Sequence, residues 1–166
     1  MKRSLSRTEV ETMEEEKEQI YRKLCLQSSE FRLADGLETF LDYLKQRNIP
    51  MNIATASGFQ NVKFFFEHLS LERWFDCSRV AYNNGKIAGK PEPDLYLKAA
   101  ETLGVDIHDC VVFEDSQSGI EAARRANVRK IVRVASMSMV EFAVSSVAAV
   151  IPNYTDLKQL CEILEG

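Results

Sequence analysis

The sequence VVFEDSQSGI, residues 111–120, is followed directly by EAARRAN, residues 121–127. Three apolar residues, two carboxylates, a Ser/Gly-containing turn and an alanine-rich segment predict a buried strand, a loop at its carboxyl end and a helix. Ligands of open α/β sheets bind just beyond the carboxyl ends of the strands. We therefore expect Glu114 and Asp115 to hold a metal or a phosphate. Mg²⁺, which prefers oxygen ligands, would offset the repulsion between these neighbouring carboxylates.

The same alternation of strands and helices extends through the chain from residue 37. Helices are predicted over 37–47, 59–69, 95–103, 119–126, 142–147 and 156–164, and strands over 51–54, 110–113, 130–134 and 148–151. Asn83-Asn84-Gly85 predicts a tight hairpin between 79–82 and 86–88, because Asn-Gly supplies positive φ angles. Asp94 and Thr155 are the expected caps of the helices after them. The pattern predicts an α/β fold with a mostly parallel sheet covered by helices on both faces.

The N-terminal part of the chain has a different character. Residues 8–27 are rich in charged and polar side chains, with apolar residues partly at helical spacing. We interpret them as one solvated amphipathic helix with Thr8 near its N-cap. A coiled-coil seam is the less favoured interpretation, since the apolar repeat is short. The expected organisation is an N-terminal helix over 1–30 and a core domain over 31–166.

Composition limits the classes of function. The 166 residues carry a formal net charge of −4, which gives no electrostatic reason to bind nucleic acid or an anionic membrane. No apolar run approaches the 18 residues of a membrane span, and no signal peptide is recognisable. The four cysteines lie far apart without a CxxC pair, so we interpret them as reduced thiols of a cytoplasmic protein.

Two further stretches carry candidate functional residues. Thr55, Ser57 and Gly58 follow a predicted strand and precede a helix, which places hydroxyl and backbone N–H groups where an anion binds. Lys90 lies between Gly89 and a proline, and its ammonium would offset charge on a phosphate. Taken singly, these residues are explained as a helix cap and a surface lysine. Together with the carboxylate pair 114–115 they form the set of groups needed for phosphoryl transfer.

Three motifs make the sequence resemble a known family. IATASG (53–58), GKPEPD (89–94) and VVFEDSQSGIEAARRAN (111–127) resemble the second, third and fourth motifs of haloacid dehalogenase-superfamily phosphatases. The closest subgroup is that of β-phosphoglucomutase and phosphoglycolate phosphatase. The resemblance implies a Rossmann-like fold and Mg²⁺-dependent chemistry on a small phosphorylated metabolite. It implies that Thr55, with Ser57 beside it, binds a phosphoryl oxygen. It also implies that Lys90 neutralises the charge of the phosphate and of the nucleophile, and that Asp115, with Glu114, binds Mg²⁺.

The first motif of that family, DxDxT or DxDxV after an apolar strand, has no counterpart in this sequence. Its first aspartate is the nucleophile and its second the general acid/base. Asp106 and Asp109 have the wrong spacing, and no Asp-x-Asp occurs. The helix over 8–27 resembles the last helix of the family's cap domain. We therefore expect a truncated hydrolase with little or no activity, and with Mg²⁺ binding that is weak or absent. The alternative is a non-catalytic binding protein, or one half of a split phosphatase.

In the family the nucleophile strand lies between the strands that correspond here to 51–54 and 110–113. Without it, two apolar strands keep open inner edges, which favour pairing with another strand. Three arrangements would resolve this. The two strands close on each other, a second chain donates an element in a homodimer, or the N-terminal helix covers the gap. Substrate identity is not readable, because the cap supplies much of the specificity in this family.

Overall fold

The computed structural model describes residues 6–135 and 147–166. The chain divides into two compact units, one ending at Arg32 and the other comprising Leu33–Gly166. The helix expected over 142–147 lies almost wholly outside the described residues. Of the helices that the structure describes, none is both long enough and apolar enough to cross a membrane.

Among its described residues, the first unit has one helix, α1 (Arg7–Gln27), which begins with a capping box. The Ser6 hydroxyl accepts a hydrogen bond from the Glu9 N–H at 3.3 Å, and the Glu9 carboxylate accepts one from the Ser6 N–H at 2.8 Å. The N-cap is therefore Ser6, whereas the sequence had suggested a position near Thr8. A glutamate three residues after the serine completes the reciprocal pair, and this selects the earlier start.

The second unit alternates helices and strands. Its helices are α2 (Leu37–Gln46), α3 (Phe59–Leu69), α4 (Asp94–Leu103), α5 (Gln117–Arg125) and α6 (Leu157–Glu165). Its strands are β1 (Ala54–Thr55), β2 (Ala81–Tyr82), β3 (Val111–Glu114), β4 (Lys130–Val134) and β5 (Ala149–Ile151). Every strand pairing in the described part of this unit is parallel, with β1 beside β2 and the order β3-β4-β5 in the larger sheet. This confirms the expected α/β class.

The larger sheet is covered on both faces because side chains alternate along its strands. On β4, Ile131 packs with the cluster formed by α5, whereas the next residue, Val132, packs with α2 and α6. Phe40 of α2 and Leu160 of α6 are almost completely buried against this second face. The smaller sheet is likewise flanked by α3 on one face and α4 on the other.

The two sheets are not joined by hydrogen bonds within the described residues, where β1 pairs only with β2 and β3 only with β4. They are nevertheless linked through side-chain packing. Ala54 of β1 packs against the cluster that contains Val112 of β3 and Tyr96 of α4. Direct pairing of β1 with β3, one of the three arrangements considered from the sequence, is therefore not seen in the part of the chain that the structure describes.

The expected hairpin at Asn83-Asn84-Gly85 does not form, because β2 before it pairs in parallel with β1. The asparagine side chains bond locally instead. The Asn84 side chain accepts hydrogen bonds from the N–H groups of Lys86 and Ile87 at 2.9 and 3.1 Å. Such Asx turns hold a loop without requiring a returning strand.

Two predicted caps are displaced by one residue. Helix α4 begins at Asp94 itself, after Pro93, and makes no side-chain cap. The cap of α6 is Asp156, which accepts a hydrogen bond from the Gln159 N–H at 2.9 Å, in place of Thr155. Aspartate and threonine are both good caps, so adjacent candidates leave the boundary open from sequence alone.

Gly36 is held in a left-handed conformation (φ 81°) directly against the backbone of Tyr154, whose N–H donates to the Asp35 carbonyl at 2.9 Å. We predict that Gly36→Ala lowers the free energy of unfolding by about 2 kcal/mol more than Gly85→Ala. Gly85 is the matched control, because its φ is 72° but open space surrounds the position of a Cβ. Urea unfolding of both variants measures the difference, and equal losses would contradict the close approach.

Candidate functional site

The carboxylate of Glu114, the last residue of β3, is buried and accepts hydrogen bonds on both oxygens. Its Oε1 accepts from the Lys90 ammonium and, at 2.9 Å, from the Tyr96 hydroxyl. The side chains of Lys90 and Glu114 are only 11% and 8% exposed, so this ion pair is largely removed from solvent. The Lys90 Nζ also lies 4.8 Å from the centroid of the Tyr96 ring. A loop residue, a helix residue and a strand residue thus meet at one buried point.

The second oxygen of Glu114 organises the turn into α5. Its Oε2 accepts from the N–H groups of Asp115 and Ser116, each at 2.9 Å, and from the Ser116 hydroxyl at 3.0 Å. Ser116 is also the N-cap of α5 and accepts from the Gly119 N–H at 3.0 Å. A Cβ on Gly119 would overlap the Glu114 carboxylate, so only glycine fits there. The five hydrogen bonds use the acceptor capacity of this carboxylate.

The pKa values of the two neighbouring carboxyls move in opposite directions. Burial alone would raise the pKa of Glu114, but the Lys90 charge and the hydrogen bonds outweigh it and hold that pKa below its usual value. Burial raises the pKa of Asp115, and the negative charge of Glu114 raises it further. Burial and the same charge also raise the pKa of the Tyr96 phenol, so Tyr96 stays protonated and donates.

A second group of polar atoms lies at the end of β1. The Thr55 hydroxyl oxygen accepts a hydrogen bond from the Ser57 N–H at 3.1 Å, which leaves the hydroxyl proton to donate elsewhere. The Ser57 carbonyl in turn accepts from the Asn83 N–H at 3.1 Å, so the loop after β2 fixes this turn. Gly58 is the N-cap of α3, and no side chain caps this helix. The first N–H groups of α3 are therefore presented to an anion.

The structure brings the sequence-predicted residues into two neighbouring groups. Lys90, Glu114 and Asp115 form one, and the turn 55–58 forms the other. No hydrogen bond or ion pair between described residues joins the groups, but Ala54, directly before Thr55, packs in the cluster that includes Tyr96. The sequence reasoning missed Tyr96. Its signal was a tyrosine on the apolar face of α4, where a buried phenol needs a hydrogen-bond partner.

The donor set matches Mg²⁺ only in part. The acceptor capacity of Glu114 is used by the protein, whereas Asp115 is exposed and makes no ion pair with any described residue. No cluster of three or more His, Cys, Asp or Glu side chains suited to a metal occurs among the residues that the structure describes. Mg²⁺ in proteins commonly retains waters beside one or two carboxylates. These residues therefore offer one ligand, Asp115, and not a complete centre.

A family model and curated relatives match this chain, the model describing hydrolases and the relatives including phosphatases. A model of the haloacid dehalogenase-like hydrolase family matches residues 3–127. A phosphorylated carbohydrates phosphatase from Thermotoga maritima is 32% identical over 117 residues, which cover 70% of this chain and 50% of the relative. The chain spans about half the length, or less, of the curated relatives that it matches, with 36% and 43% in two other cases.

Solved structures resemble the chain over nearly its whole length. A hydrolase of the same superfamily from Entamoeba histolytica superposes with a TM-score of 0.87 at 34% identity, covering 98% of this chain and 74% of that chain. A β-phosphoglucomutase from Clostridium difficile superposes with a TM-score of 0.80 at 26% identity, covering 99% of this chain and 70% of that chain. These likenesses confirm the Rossmann-like arrangement.

Gly119→Ala is predicted to destabilise the protein by about 2–4 kcal/mol, although the same change in an ordinary helix stabilises by about 1 kcal/mol. The added methyl displaces the Glu114 carboxylate and leaves the Lys90 ammonium buried without its acceptor. The matched control is Ser118→Ala, at an exposed position of the same first turn of α5, which should change stability little. Chemical denaturation checks both variants, and a stabilised Gly119→Ala protein would refute the packing described.

Lys90→Met is predicted to reverse the pH dependence that Glu114 contributes to stability. In the unaltered protein the lowered pKa makes the ion pair stabilising above the unfolded-state pKa, and this contribution is lost as pH falls through the folded-state pKa. Without the lysine, burial raises the pKa of Glu114, so stability is instead lost as pH rises. Unfolding curves measured at pH values from below to above the unfolded-state pKa of glutamate show whether the free energy of unfolding rises or falls with pH. Lys98→Met, at an exposed pair with Glu101, is the control and should keep the original profile.

Proposed function

Because this chain belongs to the haloacid dehalogenase-like hydrolase family, we propose that its site binds the phosphate group of a small phosphorylated carbohydrate. We further propose that these 166 residues bind such an ester without turning it over. The observation that carries the proposal is the buried Lys90–Glu114 pair, with Tyr96 beside it, at the carboxyl end of β3.

Each polar group has a defined part in anion binding. The Lys90 ammonium has three donors, and the one given to Glu114 leaves others for a phosphate oxygen. The Thr55 hydroxyl donates its free proton, and Ser57 and Gly58 place the first N–H groups of α3 toward the same anion. Glu114 acts through Lys90, because it fixes where that ammonium lies.

Turnover would require groups that this sequence does not contain. Covalent phosphoryl transfer needs a nucleophile that attacks phosphorus and a general acid that protonates the leaving oxygen. No Asp-x-Asp occurs in the 166 residues. Asp115 would hold Mg²⁺, which supplies charge neutralisation, but one carboxylate gives weak affinity. Loss of a covalent nucleophile ordinarily removes most of the rate and leaves binding and electrostatic contributions.

The substrate class is supported by the names of the relatives. One is a phosphorylated carbohydrates phosphatase and another, known by its structure, is a β-phosphoglucomutase. Both names refer to sugars that carry a phosphate monoester. A phosphate monoester dianion also suits a site with one fixed ammonium and a helix N-terminus.

A second candidate is one half of a split phosphatase. It is favoured by the open edges of β1 and β3, which face no strand among the described residues. An apolar strand followed by Asp-x-Asp, supplied from outside these 166 residues, would pair with both edges and place carboxylates beside Lys90 and Asp115. In this case the chain is a binding partner whose activity depends on the added strand.

Thr55→Val is predicted to weaken binding of inorganic phosphate about tenfold, since it removes a hydrogen bond to a charged group. Isothermal titration calorimetry measures the affinity. Thr102→Val provides the control, because the Thr102 hydroxyl donates to the Lys98 carbonyl on an exposed face of α4. Equal affinities of the two variants for phosphate would contradict the role given to Thr55.

The chain alone is predicted to show no Mg²⁺-dependent hydrolysis of an aryl phosphate above background. Addition of a segment with an apolar strand and Asp-x-Asp-x-Thr should produce activity that Asp115→Asn abolishes. Such a gain selects the split-enzyme candidate. Hydrolysis by the unsupplemented chain that Lys90→Ala or Asp115→Asn abolishes would overturn the proposal that it binds without turnover.

A further inference from the structure

The loop after β2 contains Asn84-Gly85, the only asparagine in the sequence that glycine follows. In such a pair the backbone nitrogen reaches the side-chain amide most easily, because glycine has no Cβ to hinder the approach. Apart from the two chain neighbours of Gly85, no described atom lies within 4 Å of the position that a Cβ would take there. The surroundings of Gly85 therefore add no hindrance of their own.

Two backbone N–H groups converge on the side-chain oxygen of Asn84. The N–H groups of Lys86 and Ile87 donate to Asn84 Oδ1 at 2.9 and 3.1 Å. When a nucleophile attacks Asn84 Cγ, negative charge develops on this oxygen. Fixed N–H donors aimed at such an oxygen stabilise the tetrahedral intermediate of acyl transfer. The loop therefore already holds the pair of donors that an attack on this amide needs.

The attacking nitrogen of Gly85 is held by a contact of its own. The Gly85 N–H donates to Asn83 Oδ1 at 3.0 Å. A hydrogen-bond acceptor polarises the N–H group that donates to it, and this raises the electron density on the nitrogen. The three contacts thus act on both partners of one reaction, with an acceptor on the attacking group and two donors on the amide that is attacked.

We propose that the folded loop promotes spontaneous deamidation of Asn84, which makes this residue a site of self-modification. The Gly85 nitrogen bonds to Asn84 Cγ and releases its proton to solvent. The Cγ–Nδ2 bond breaks, and Nδ2 takes up a proton and leaves as ammonia. Water then opens the cyclic imide at either of its carbonyls, which gives aspartate or isoaspartate. The net reaction consumes one water, releases one ammonia and needs no oxidant or reductant.

The modification changes the charge beside the turn at the end of β1. The Asn83 N–H donates to the Ser57 carbonyl at 3.1 Å, and this contact joins the loop to residues 55–58. Each product carries one negative charge at position 84, where the amide is neutral. Isoaspartate also lengthens the main chain by one carbon atom. Deamidation does not depend on phosphate binding, but its product lies one residue from the contact that holds this turn.

Peptide mapping by mass spectrometry tests the proposal, because it measures loss of the Asn84 amide during incubation of the full chain at mildly alkaline pH. The folded chain should lose this amide about tenfold faster than the same chain unfolded in urea, since only the folded loop holds the three hydrogen bonds. Asn48 and Asn127 are internal controls. The β-branched residues Ile49 and Val128 follow them, so both should keep their amides over the same time.

Two variants at position 83 isolate the contact to the attacking nitrogen. Asn83→Ala removes the acceptor of the Gly85 N–H and should lower the folded-state rate about threefold, while the rate in urea stays unchanged. Asn83→Asp keeps an acceptor oxygen and should retain the fast rate. Both variants keep the backbone N–H of residue 83, so the contact to Ser57 is preserved. Circular dichroism checks that each variant is folded.

A folded-state rate that is no higher than the rate in urea refutes the proposal. Equal folded-state rates for Asn83→Ala and the unaltered chain also refute it, because the loop contacts then have no effect on the reaction. If Asn83→Ala does not fold, the comparison of the folded and the urea-unfolded unaltered chain decides alone. Phosphate binding enters none of these measurements, so failure of the proposed function leaves the test unchanged.

Discussion

A single buried carboxylate, that of Glu114, sets the geometry on which the site depends. Its negative charge is stable away from water only because the Lys90 ammonium and four hydrogen-bond donors surround it. The same contacts fix the turn from β3 into α5 and require a glycine at 119. Fold and site are therefore not independent here. The groups that fix this turn also determine where Lys90 presents its charge.

Much of the fold was predictable because it follows from periodic burial. The alternation of apolar runs with amphipathic segments gave the helices and strands of the second unit. At the end of α5, Asn127 adopts the left-handed conformation (φ 56°) that asparagine tolerates. Among Phe64, Phe65 and Phe66, the middle one is the partly exposed residue, as three consecutive positions on a helix require. The hairpin at 83–85 failed because local Asn-Gly chemistry does not reveal which strand β2 pairs with.

The sequence singles out the residues of the candidate site but does not reveal how their side chains pack. Sequence alone treats Glu114 and Asp115 as an equivalent acidic pair, since both follow an apolar strand. Only packing shows that Glu114 points into the protein, toward Lys90 and Tyr96, while Asp115 stays available to a ligand. Tyr96 entered the helix prediction as one more apolar position. The Tyr96 hydroxyl donates to the Glu114 carboxylate on β3. The sequence pattern of α4 alone does not reveal this partner.

The account claims that the turn at the end of β1 and the lysine beside β3 serve one phosphate group. A crystal structure of the protein soaked with inorganic phosphate tests this most directly. The account predicts one phosphate ion within hydrogen-bond distance of both the Thr55 hydroxyl and the Lys90 ammonium, with the Lys90–Glu114 pair intact. Phosphate bound at Lys90 but out of reach of Thr55, or bound elsewhere while both remain empty, would contradict it.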